Sequence, residues 1–113
     1  MIEQIATRSD TLAQWRQHLH RHPELALQET GTAAFVAERL REFGLEPVTG
    51  IGGTGVVAVV EGKEPGPSIA LRADMDALPM EEENDLPFRS QNAGAAHCCG
   101  PVSYTHLTLP TKA

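Results

Sequence analysis

The hydrophobic pattern of this chain changes period once, at Gly44, and that change limits the folds open to it. Before Gly44 the apolar residues recur at helical spacing. After it they gather in short β-branched runs separated by glycine and proline. Residues 11–20 predict a first helix, with Leu12, Trp15 and Leu19 on one side. Thr11 and Gln14 have the spacing of a capping box at its start. Pro23 closes this helix, because a residue before proline is pushed out of helical angles. Residues 30–43 predict a second helix, with Ala33, Val36, Ala37, Leu40 and Phe43 as its apolar stripe. Gly44 is its stop, since glycine accepts the left-handed conformation that ends helices. Residues 50–55, GIGGTG, read as a flexible turn. Residues 56–60 read as a strand, 61–67 as a turn, and 68–72, SIALR, as a strand apolar enough to be central. Residues 85–100 read as a long loop, and loops of that length in compact proteins are usually functional or disordered. Two helices followed by strands predict an α/β or α+β layer.

The chain has 113 residues, which is one small domain or a piece of a larger one. Its 41 % hydrophobic content is that of an ordinary globular protein. A net charge of -6 argues against a basic nucleic-acid face. No run approaches the ~18 apolar residues of a membrane span. The start of the chain lacks the basic and apolar regions of a secretory signal. The two cysteines, Cys98 and Cys99, are adjacent, and neighbouring cysteines rarely bridge. A reducing, cytoplasmic setting with free or metal-bound thiols is expected.

Three segments could carry chemistry. LRADMDALP places Asp74 and Asp76 just past a strand, two residues apart on extended chain, where both side chains point the same way. Carboxylates so placed can hold a metal or orient a metal-bound imidazole; a solvated, aspartate-rich turn is the plainer reading. His97, Cys98 and Cys99 offer an imidazole and thiols, which are good ligands for first-row transition metals, but they do not close a site by themselves. His18, His20 and His22 crowd beside Glu24. His18 and His22 share a helical face that His20 does not, so the set reads as structural. The GIGGTG turn has no following lysine and no Rossmann order, which excludes a nucleotide cradle.

Four ordered blocks, WRQHLHRHPELALQE (15–29), GIGGTGVVAVVEG (50–62), LRADMDALPMEE (71–82) and SQNAGAAHCCG (90–100), resemble the N-acyl-amino-acid amidohydrolases, hippurate hydrolases among them. That family belongs to a clan of metal-dependent amino- and carboxypeptidases. The resemblance implies an α/β fold, here the N-terminal part of a zinc-peptidase-like catalytic domain over residues 1–100. It implies hydrolysis of the amide bond of N-acetyl or N-benzoyl amino acids by water activated on a divalent metal, manganese or zinc, with a glutamate as general base. By motif, Asp76 matches the clan's aspartate of the catalytic centre and Cys99 the metal-ligand cysteine. Asp74 and His97 match positions that line the site. The family motif continues with a histidine where this chain has Pro101, and with an aspartate where it has Val102. Residues 101–113 depart from the pattern, hold no acidic residue, and resemble translated adapter sequence. They are expected to be an artefact. With the general base and three further ligands falling beyond residue 100 in the family, the chain is expected to be an inactive piece. A small-molecule substrate, no nucleic acid, no membrane, and a homodimer in the full-length form are also implied. A non-catalytic binding domain, and a dipeptidase or deacetylase of the same clan, stand as alternatives.

Overall fold

The computed structural model describes residues 2–98 and 108–110. A short helix α1, Ile2–Ala6, precedes the two expected helices, α2 (Ser9–Arg21) and α3 (Thr30–Glu42). The capping box is not formed. Helix α2 begins at Ser9, which puts Thr11 inside the first turn, and no side chain caps its N-terminus. Its other end falls where proline dictates, at Arg21 with His22 as C-cap.

Helix α3 ends in a Schellman motif. The Leu45 amide donates to the Leu40 carbonyl at 3.1 Å and the Gly44 amide to the Arg41 carbonyl at 2.9 Å. Gly44 has φ 85°, the left-handed angle this motif requires. Thr32, Ala33 and Ala37 form the buried side of α3, while Phe43, the last residue of the predicted stripe, is half exposed and meets the Trp15 ring edge-on at 5.9 Å. His18 stacks on Phe35 at 4.6 Å between the same two helices.

The expected turn at residues 50–55 is in part strand. Strands β1 (Val48–Ile51) and β2 (Gly55–Val57) pair antiparallel as a hairpin, and Gly50 falls in a register shift between Thr49 and Ile51. At φ 77° Gly50 is a bulge residue that a side chain would strain. The first predicted strand, residues 56–60, is cut short, because the chain leaves the hairpin after Val57 and nothing among the described residues pairs with Val59 or Val60. Strand β3 (Ile69–Leu71) forms as expected and pairs antiparallel with β4 (Thr108–Pro110). It is not central: Ile69 and Leu71 are each 73 % exposed. An apolar run marks a strand that some neighbour covers, and that neighbour is not among the described residues.

Helices followed by small antiparallel sheets make an incomplete α/β domain. The described core is made of small residues, Ala33, Ala37, Ala77, Ala95 and Ala96, around the fully buried Pro23.

Candidate functional site

The site is assembled where three distant segments meet. The Ala77 amide donates to the Glu24 carbonyl at 2.7 Å, and Leu25 and Ala77 form a parallel bridge. Leu78 and Ala96 exchange both backbone hydrogen bonds, at 2.9 and 3.1 Å. The Asn92 side-chain amide donates to the Pro23 carbonyl at 2.7 Å, and the Gln91 amide to the Arg21 carbonyl at 2.8 Å. The histidine–proline–glutamate block therefore acts as a frame. It fixes the segment after Asp76 on one side and the 90–98 loop on the other.

Glu24 supports this frame from below. Its carboxylate accepts the Gly31 amide at 3.1 Å, the Thr32 amide at 2.5 Å and the Thr32 hydroxyl at 2.7 Å, which caps α3 across a seven-residue gap. Burial opposes its charge, but the hydrogen bonds from Thr32 and Gly31 outweigh burial and hold the carboxyl below the ordinary glutamate value. Glu29, also buried, accepts the Thr54 hydroxyl at 2.7 Å and so ties the GIGGTG hairpin to the start of α3.

Asp76 and His97 lie on the same side of the antiparallel Leu78–Ala96 bridge. Asp76 is exposed, and its charge reaches the half-buried His97 ring. Burial lowers the His97 pKa most, the nearby His20 lowers it further, and Asp76 pulls the other way; the net effect favours neutral imidazole. The His97 Nε2 atom is buried and has no hydrogen-bond partner among the described residues. Asp74 is engaged elsewhere, in a 2.8 Å ion pair with Arg72. Cys98 is exposed, with its sulfur 3.1 Å from that of Met80. Cys99, the matched metal ligand, lies outside the described residues.

His20, which the sequence reads as structural, and Glu82, which it does not single out, adjoin this cluster. His20 turns away from His18 and His22, donates from Nε2 to the Glu82 carboxylate at 2.8 Å, and stands 6.5 Å from the His97 ring. Glu82, in a run of three acids, is the buried one. No local spacing announces this pair, because 62 residues separate its members.

The donors described do not by themselves hold a metal ion. No three of His, Cys, Asp and Glu come together for one among the described residues. Asp76 and His97 offer two donor types from two segments, which is fewer than the three protein ligands of a catalytic zinc site.

No protein-family model matches the chain. It is 45 % identical over 111 residues to the N-acyl-L-amino acid amidohydrolase of Geobacillus stearothermophilus, covering 98 % of this chain and 29 % of that protein. It is 40 % identical over 109 residues to the hippurate hydrolase of Campylobacter jejuni, covering 96 % and 28 %. Its structure superposes on a dinuclear metal-binding peptidase of the M20 family from Bacillus subtilis with a TM-score of 0.76 and 43 % identity, over 80 % of this chain and 26 % of that one. The shared sequence and fold relate the chain to amidohydrolases and to a metal-binding peptidase. Its homologues include N-acyl-amino-acid amidohydrolases and hippurate hydrolases, and its structural neighbour is a peptidase of the M20 family. The chain spans about a quarter of the length of the curated relatives it matches.

Proposed function

We propose that this chain supplies one wall of the active centre of an amide-bond hydrolase acting on N-acyl amino acids, N-acetyl or N-benzoyl, with Asp76 as a residue of the catalytic centre. The carrying observation is the backbone pairing of Ala77 with Leu25 and of Leu78 with Ala96, which sets the neighbouring Asp76 and His97, from separate blocks, on one frame, with a buried imidazole nitrogen of His97 unpartnered among the described residues. Cys99 would join them as a metal ligand, and Asp74 would line the rim. A divalent cation, manganese or zinc, is the cofactor of the complete centre, where it would supply Lewis-acid chemistry. The donors described here are too few to derive a step through it. The substrate reading is supported by the relatives, whose names specify an N-acyl-L-amino acid amidohydrolase and a hippurate hydrolase.

In this reading residues 1–100 are the part that serves the centre and residues 101–113 are unrelated to it. The 113-residue chain alone turns over no substrate. A cytoplasmic setting and a homodimer of the longer protein belong to the same proposal; among the described residues no helix is long and apolar enough to cross a membrane. The test is an exchange: residues 8–98 replace their counterpart in the Geobacillus stearothermophilus enzyme. Retained hydrolysis of an N-acetyl-amino acid is the expected result. A folded, metal-loaded hybrid with no turnover would overturn the proposal.

A further inference from the structure

Glu81, Glu82 and Glu83 stand side by side, and only Glu82 is turned into the protein. Both of its carboxylate oxygens are used. Oε1 accepts His20 Nε2 at 2.8 Å, and Oε2 accepts the Ser90 amide at 2.6 Å. The Arg89 guanidinium donates to its carbonyl at 2.7 Å. Ser90 passes the restraint on, since its hydroxyl donates to the Ala95 carbonyl at 2.8 Å, two residues before His97. Phe88 adds a contact from the same loop: its ring meets His20 edge-on at 5.6 Å and lies 5.3 Å beneath Arg16.

An ionised carboxylate only accepts hydrogen bonds, so the His20 nitrogen facing it must carry hydrogen. Glu82 is held in that ionised form chiefly by the His20 hydrogen bond, then by the Ser90 amide. A single carboxylate thus orients a ring at the end of α2 and anchors the loop that delivers His97.

We infer that Glu82 and His20 are a positioning pair, which fixes the 82–97 loop against α2 and sets where His97 stands relative to Asp76. The relevance of this pair to catalysis rests on the active-centre reading above; its geometry does not. His20 cannot be replaced by a residue of mere bulk, because the loop is held by a directed donor. Glu82 cannot be replaced by glutamine without loss, because an amide presents a donor group to one of the two N–H groups that a carboxylate satisfies.

The test is NMR of the 113-residue chain, with no metal or substrate, so that its outcome is independent of whether the centre hydrolyses anything. In the unaltered chain the His20 Nε2 proton is expected to be slowed in exchange by at least about tenfold over an exposed histidine. Glu82→Gln should lose this protection and move the ring signals of His97, while the signals of α3 stay in place. His20→Gln, whose side-chain amide can donate at similar reach, should bring the Ala95 and Ala96 amides nearer to their original positions than His20→Ala does. The inference is overturned if the Nε2 proton is unprotected, if Glu82→Gln leaves the His97 ring signals unmoved, or if His20→Gln and His20→Ala displace Ala95 and Ala96 equally. If Glu82→Gln fails to fold, the two His20 variants alone decide.

Discussion

Replacing Glu24 by alanine removes three hydrogen bonds from the start of α3 at once, those from the Gly31 amide, the Thr32 amide and the Thr32 hydroxyl. Loss of an N-terminal cap costs about 1 kcal/mol. Thr32 is buried at 5 % exposure, so its donors are not fully rescued by water, and leaving them unpartnered adds about 1 kcal/mol more. A total of about 2 kcal/mol corresponds to roughly 30-fold faster opening of the first turns of α3. Native-state amide exchange at Ala33–Ala37 reads this locally, without requiring one cooperative melt. Gly31 provides an internal control. A Cβ there would stand 3.2 Å from Glu24 Oε2 and 3.3 Å from Oε1, so Gly31→Ala should displace the carboxylate and speed exchange. In a chain already carrying Glu24→Ala the obstacle is gone, and alanine's helix preference of about 0.5–1 kcal/mol should slow exchange instead. Unchanged exchange in Glu24→Ala, or the same sign for Gly31→Ala in both backgrounds, would refute the capping argument.

Leu27 sits at φ 64° and is 75 % exposed, so it carries backbone strain for little burial; Leu27→Gly is expected to stabilise by about 1 kcal/mol in urea denaturation. Thr54→Val leaves the buried Glu29 carboxylate without its hydroxyl donor and should destabilise by about 1–3 kcal/mol, opening the β1–β2 hairpin first in amide exchange. Acid should weaken the fold in two stages. His18 and His97 are held below the ordinary histidine value of 6.5, so the unfolded chain binds their protons first; stability is full above about pH 6.5 and falls as pH drops toward their folded values. Glu24 and Glu82 are held below the ordinary glutamate value of 4.5, so their contribution is present above that pH and is lost as pH falls through their folded values. A chain with glutamine at positions 18 and 97 should keep its melting temperature between pH 6.5 and 5, and an unaltered first stage in that variant would contradict the assignment.

The two longer helices were legible in the sequence because their signals are local: a 3.6-residue stripe, a proline stop at Pro23 and a glycine stop at Gly44. The N-terminus of α2 was misjudged, since Thr11 and Gln14 have the right spacing but Ser9 and Asp10 extend the helix past them. The turn at residues 50–55 was read as too long for the opposite reason. Glycine at 50 suggests a turn, yet a bulge uses the same left-handed angle inside a strand. Among the candidate site residues, Asp76 and His97 were nominated through their blocks. Glu24 was seen only as a neighbour of the histidines, although its work is to cap a helix that starts six residues later. His20 and Glu82 were passed over because their meaning lies in contact across 62 residues, which neither periodicity nor spacing encodes.

Whether Asp76 and His97 serve one hydrolytic centre, as proposed, is read most directly from kcat/KM of Asp76→Asn in the Geobacillus stearothermophilus enzyme carrying residues 8–98 of this chain. Asparagine keeps the shape and removes the charge. A loss of at least about 100-fold in kcat/KM on an N-acetyl-amino acid is expected, with the melting temperature of the hybrid unchanged. An Asp76→Asn hybrid as active as its parent would contradict the proposal.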